Sequence, residues 1–112
     1  MFRRDEHILA QWDDGHWYPA RVNAIRGDLH TIVFDDGDVA EYAASRLAPL
    51  DWGPGTRVQG EWKGGGQYFA GTIAEREGAR VVIEYDDGDV EECGIGRCRS
   101  IEPDSVATPG EW

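Results

Sequence analysis

The sequence predicts an all-β protein built as two small antiparallel barrels in tandem, and three observations carry the prediction. The phrase Phe-Asp-Asp-Gly-Asp-Val at 34–39 returns as Tyr-Asp-Asp-Gly-Asp-Val at 85–90. Its register holds over a whole unit, because Gly78 minus Gly27, Asp86 minus Asp35 and Arg97 minus Arg46 each give 51. Between turn-forming clusters run only short segments rich in apolar, aromatic and β-branched residues, with no sustained helical spacing.

In the first unit, strands are expected over 7–12 (HILAQW), 17–25 (WYPARVNAI), 29–34 (LHTIVF) and 38–42 (DVAEY), separated by DDG, RGD and DDGD turns. The second unit repeats them over 57–62, 67–75, 80–85 and 89–93. Trp12 and Trp62 are only 50 apart, so one residue was gained between WDDGHWY and WKGGGQYF, in a turn where hairpins tolerate length changes. After the fourth strand, AASRL and GIGRC each suit a single helical turn. APLDWGPG, with two prolines and two glycines, reads as a linker. The expected organisation is a first barrel over 1–50, a second over 51–102 and a flexible polar tail over 103–112 that ends in Trp112. Units this small are marginal alone, since below about 60 residues a chain buries only about 60% of its unfolded surface. The two barrels are therefore expected to pack on each other, with Trp52 as the candidate contact.

Composition narrows the function. The 112 residues carry 22 acids against 11 bases, a formal charge of −11, and ten of the eleven bases are Arg, with Lys63 the exception. Duplex DNA or RNA is repelled by such a chain, so direct nucleic-acid binding is not expected and a basic partner fits better. There is no 18-residue apolar run and no signal-peptide h-region, so neither a membrane span nor secretion is read. The expected compartment is intracellular, nuclear in a eukaryote and cytoplasmic in a bacterium. Cys93 and Cys98 form one C-x4-C without a second pair, which suits two buried thiols better than a four-ligand zinc site.

Alternation along the strands places Ile8, Ala10 and Trp12 on one face, as it does Val58, Gly60 and Trp62. Tyr18 aligns with Phe69, and Phe34 with Tyr85. Each unit thus carries three aromatics on the core side of its strands but at strand ends, beside turns. The DDG turn brings Asp36 or Asp87 next to that rim. An aromatic wall plus a carboxylate is a receptor for a cation. Ring quadrupoles contribute about 0.5 to 2 kcal/mol each, so three rings and a carboxylate give on the order of 4 to 8 kcal/mol, a millimolar to micromolar dissociation constant. The plainer readings are that the rings plug barrel ends and the Asp residues form hairpin turns. The recurrence of Trp, Tyr or Phe, and Asp in one arrangement favours the receptor.

These segments, QWDDGHWYPARV with TIVFDDGDV and EWKGGGQYFAGTI with VVIEYDDGDV, resemble the strand pattern of a tandem Tudor protein of the Royal superfamily, related to Agenet modules, over Ile8 to about Arg99. The resemblance implies SH3-like barrels, no enzymatic activity, no cofactor, and recognition of methylated Lys or Arg in basic peptides such as histone tails. Matched residue by residue, it implies a first cage of Trp12, Tyr18, Phe34 and Asp36, flanked by Trp17. The second cage is Trp62, Phe69, Tyr85 and Asp87, with Tyr68 as the counterpart of Trp17. Many Tudor readers have another aromatic after DDG; here Asp38 and Asp89 stand there. That exchange either leaves each cage open on one side, favouring lower methylation states through a carboxylate contact, or marks one or both cages as vestigial. The cleaner strand match favours the second cage as the working one.

Other chemistries find less support. His7, His16 and His30 do not recur in the second unit, DDGD lacks the alternate-residue spacing of a calcium loop, and KGGGQYFAG lacks a Walker GK[ST]. The competing function is an acidic scaffold or nucleic-acid mimic that holds a basic protein surface without reading methylation.

Overall fold

The computed structural model describes residues 2–101, so the expected flexible tail and Trp112 lie outside the described residues. Ten strands make two five-stranded antiparallel sheets: β1 (His7–Gln11), β2 (Trp17–Arg26), β3 (Leu29–Phe34), β4 (Val39–Ala43) and β5 (Leu47–Pro49), then β6 (Arg57–Glu61), β7 (Tyr68–Glu77), β8 (Arg80–Tyr85), β9 (Val90–Gly94) and β10 (Cys98–Ser100). The strand orders, β4-β3-β2-β1-β5 and β9-β8-β7-β6-β10, are the same. The chain is two small SH3-like antiparallel barrels in tandem.

The duplication extends to backbone irregularities. Val22 faces Ile32 and Ile73 faces Ile83, and directly after each pair the register slips, between Val22 and Ala24 and between Ile73 and Glu75. Such a bulge bends its strand and raises its twist, which lets a five-stranded sheet curl on itself. The helical turns expected after the fourth strands are 3₁₀ turns at Ala44–Arg46 and Ile95–Arg97. The linker reading needs correction at its start, because Leu47–Pro49 is a fifth strand paired with β1. Three residues are too few to show alternation, and Pro49 is tolerated because β5 lies at a sheet edge. The sixth strand also stops one residue before Trp62, which opens a 3₁₀ turn.

Ile8, Ala10, Ala20, Val22, Ile32, Phe34 and Leu47 fill the first barrel. The second core is not confined to its own unit. Leu9, on the outward face of β1, and Trp52 are buried in one cluster with Val58, Ile73, Val81 and Ile83, and Trp17, Ala48 and Leu50 pack against it. The expected role of Trp52 as an inter-barrel contact therefore holds, and β1 is buried on both faces. Polar bonds close the seam: the Trp17 N–H donates to Ser100 Oγ at 2.9 Å, and the buried His16 places Nδ1 2.9 Å from the Ser100 carbonyl. Gly96 is needed at this contact, since a Cβ there would lie 2.6 Å from the Asp35 Cβ. Among the described residues no helix is long and apolar enough to cross a membrane.

Candidate functional site

The repeated DDGD phrase divides its work by position. The first Asp pins the opening strand of its own barrel: Asp35 receives His7 Nε2 at 3.0 Å, and Asp86 takes two bonds from Arg57, at 2.5 and 2.8 Å. The Arg57 bonds hold the Asp86 carboxyl below its usual range. The second Asp caps the turn, with Asp36 Oδ1 accepting the Asp38 N–H and Asp87 Oδ1 the Asp89 N–H, both at 3.0 Å. The glycine takes a left-handed conformation, φ 101° at Gly37 and 97° at Gly88, which a side chain would strain. Turn formation and rim placement are thus compatible roles for Asp36 and Asp87, since each keeps a second carboxylate oxygen.

In the first barrel the structure brings Trp12, Tyr18, Phe34 and Asp36 around one cavity of about 180 Å³. Phe34 is only 4% exposed and forms its floor. Trp12 and Tyr18 stand nearly perpendicular to it, at 87° and 89°, with centroids 5.2 and 6.3 Å away. Edge-to-face packing keeps the rings apart instead of stacked flat. Asp14, Asp38 and Tyr68 complete the lining. Tyr68 comes from the second barrel. Its first-unit counterpart Trp17 does not flank this cavity as expected, but turns toward the core of the second barrel.

Arg99 of β10 fixes this composite wall. Its guanidinium lies 3.9 Å over the Tyr68 ring, donates to the Tyr18 hydroxyl at 3.0 Å and to Gln59 Oε1 at 2.8 Å, and sits 3.6 Å from Asp14. The Tyr18 hydroxyl in turn donates to Asp14 Oδ2 at 2.5 Å. Burial, then that bond, push the Tyr18 hydroxyl up to about 12, so it stays neutral.

The second cavity, about 130 Å³, gathers Trp62, Phe69, Tyr85 and Asp87, with Asp89 at its edge. Tyr85, 5% exposed, is the floor, and Trp62 stands on it at 87° with centroids 5.3 Å apart. Phe69 is 45% exposed, so one wall of this pocket faces solvent. The Tyr85 hydroxyl donates to Glu91 Oε1 at 2.9 Å. Burial and Glu91 raise its pKa well above the ordinary value. Asp38 and Asp89, where the sequence departs from the aromatic pattern, thus line the two cavities.

The first cavity adjoins a groove between the barrels, with a volume of about 620 Å³. Phe34 and Asp36 belong to both, and His7, Asp35, Glu61, Arg21 and Arg97 line the groove further along. His30 Nδ1 lies 2.9 Å from the Asp28 carbonyl, so all three histidines have polar partners within the protein. Among the described residues no group of three or more His, Cys, Asp or Glu is placed to hold a metal. Sequence reading missed Asp14, Tyr68 and Arg99 at the first cavity; the DDG at 13–15 was a signal for Asp14, whereas the other two reach it only through barrel docking.

No family model and no curated protein matches the chain. Among solved structures, it is similar to the AGD34 segment of Arabidopsis thaliana AGDP1, with a TM-score of 0.41 and 15% identity over 89% of this chain and 82% of that one.

Proposed function

We propose that the protein is a non-enzymatic reader that binds methylated lysine or arginine in a basic peptide through its aromatic cavities. The observation that carries the reading is the twice-repeated set of perpendicular rings around open space with carboxylates at the rim. A methylated ammonium is less strongly hydrated than a bare one, so the rings compete better for it with water. The working cage is Trp12, Tyr18, Phe34 and Asp36 in the first barrel. Trp62, Phe69, Tyr85 and Asp87 form a second, weaker one. The first is favoured over the second because Tyr68 adds a wall and because three carboxylates, Asp14, Asp36 and Asp38, stand around it. Asp38 and Asp89, as carboxylates where a further ring would close the cage, favour mono- and dimethyl states that retain an N–H to donate.

Calorimetric titration of one short basic peptide, carrying its lysine unmethylated or with one, two or three methyl groups, tests this at two salt concentrations. The reader prefers a methylated form, and Tyr18→Ala and Asp36→Ala remove that preference while Tyr85→Ala and Asp87→Ala reduce it less. A net charge of −11 favours a second reading, an acidic scaffold or nucleic-acid mimic that grips a basic surface. Affinity that falls with salt but ignores methylation decides for it.

A further inference from the structure

The second barrel differs from the first where its sheet closes. Cys93 lies in β9 and Cys98 in β10, the two edge strands of the sheet, joined by the 3₁₀ turn Ile95–Arg97. That turn is tight: the Cys98 N–H donates to the Ile95 carbonyl, and the Ile95 N–H to the Ala79 carbonyl at 2.7 Å. Cys93, half-buried, packs on the core, and Ile95 and Cys98 are fully enclosed in it. All three side chains therefore point inward across one short turn. Both cysteines are thiols, and Cys93 packs against the cluster that encloses Cys98. An offset of 51 places Tyr42 and Leu47 at the corresponding positions of the first barrel, where Leu47 is buried and Tyr42 packs on the core with the Arg46 guanidinium over its ring.

The contact polarises the pair. Donation from Cys98 favours the Cys93 thiolate and lowers its pKa, while the same bond and burial raise that of Cys98. The more accessible sulfur is thus the nucleophile and the enclosed one its partner.

We propose that Cys93 and Cys98 are a redox modification site, at which a low-molecular-weight disulfide converts the dithiol into an intramolecular disulfide that staples β9 to β10. The Cys93 thiolate attacks one sulfur of the small disulfide, whose S–S bond breaks and releases one small thiolate. Cys98 then loses its proton to solvent, and its sulfur attacks the Cys93 sulfur of the mixed disulfide, releasing the second small thiol. The protein loses two electrons and two hydrogens, and one small disulfide becomes two thiols. The staple lies under the second aromatic cavity: Cys98 pairs with Gly60, and Gly60 is the residue beneath the Tyr85 hydroxyl. Oxidation therefore tightens the support of that cavity's floor.

The full chain is equilibrated in glutathione mixtures of rising disulfide fraction, quenched with acid, alkylated in denaturant and mapped by mass spectrometry, and each form is melted. The expected product lacks two hydrogens, links Cys93 to Cys98, reverts with dithiothreitol and melts about 5 to 10 °C higher than the dithiol. Cys98→Ser halts at a glutathione adduct on Cys93. Should that variant fail to fold, Cys93→Ser serves instead, and its Cys98 stays free of adduct. Wild-type chain that keeps both thiols, carries a persistent glutathione adduct, or links only between molecules overturns the proposal. Peptide binding takes no part in these readouts, so they stand or fall apart from the reader function.

Discussion

Gly60 and Tyr85 are a size-matched pair, and a double-mutant cycle on them tests how the second cavity's floor is seated. A Cβ at Gly60 would lie 2.5 Å from the Tyr85 hydroxyl oxygen and 2.9 Å from Ile83 Cδ1. The first barrel has Ala10 and Phe34 at these positions, one methyl more on the strand and one hydroxyl fewer on the ring. Gly60 does not have a positive φ, so its backbone accepts alanine and the cost of Gly60→Ala is overpacking, about 1 to 3 kcal/mol. Tyr85→Phe alone removes one hydrogen bond, worth about 1 kcal/mol. The loss stays small because Glu91 still receives Arg97 Nη1 at 3.2 Å and the Lys63 N–H at 3.0 Å. In the Tyr85→Phe background the oxygen that alanine would strike is gone, and the flexible tip of Ile83 and the ring edge at Cε1, 3.2 Å away, need only small shifts. Gly60→Ala is then nearly neutral, which gives a favourable coupling of about 1 to 2 kcal/mol. Urea unfolding of the four chains, followed by tryptophan fluorescence, measures it. Equal costs of Gly60→Ala in both backgrounds would show that the Tyr85 hydroxyl is not what excludes a side chain at position 60.

Leu9→Ala removes a side chain that belongs to β1 but is buried in the second core, so it lowers stability by about 2 to 5 kcal/mol. Calorimetry of that variant still shows one cooperative transition, whereas two separated transitions would mean the barrels do not share a core. Arg99→Met keeps an apolar side chain beside Tyr68 but removes the guanidinium from its ring and from the Tyr18 hydroxyl and Asp14, and weakens methylated-peptide binding by about 1 to 2 kcal/mol, read by calorimetry. Tyr18 titrates near 12 in the fold against 10.0 when free, so above pH 10 the unfolded chain binds fewer protons than the folded one. Stability is therefore full below about pH 10 and falls as pH rises toward about 12, visible as a declining urea midpoint that Tyr18→Phe makes shallower.

The sequence exposed whatever rests on local periodicity. A fixed offset revealed both barrels, alternation placed Phe34 and Tyr85 in the core, and the DDG turns located both rims. Non-local features were hidden. Leu9 alternates like a solvent-facing residue and is buried only because a second barrel covers β1. Tyr68 looks like a flanking residue of its own cavity, yet docking carries it to the other. The bonds from His7 to Asp35 and Arg57 to Asp86 span 28 and 29 residues, and no spacing rule announces them. The three-residue strands β5 and β10 are shorter than the period that would have identified them.

The central claim, that open aromatic cavities receive a methylated cation, is tested most directly on the indole N–H resonances of Trp12 and Trp62 in proton–nitrogen correlation spectra. Addition of a dimethyl-lysine peptide shifts Trp12 first and Trp62 at higher concentration, while the unmethylated peptide at equal concentration moves neither. Identical shifts from both peptides, or none from either, would contradict the account.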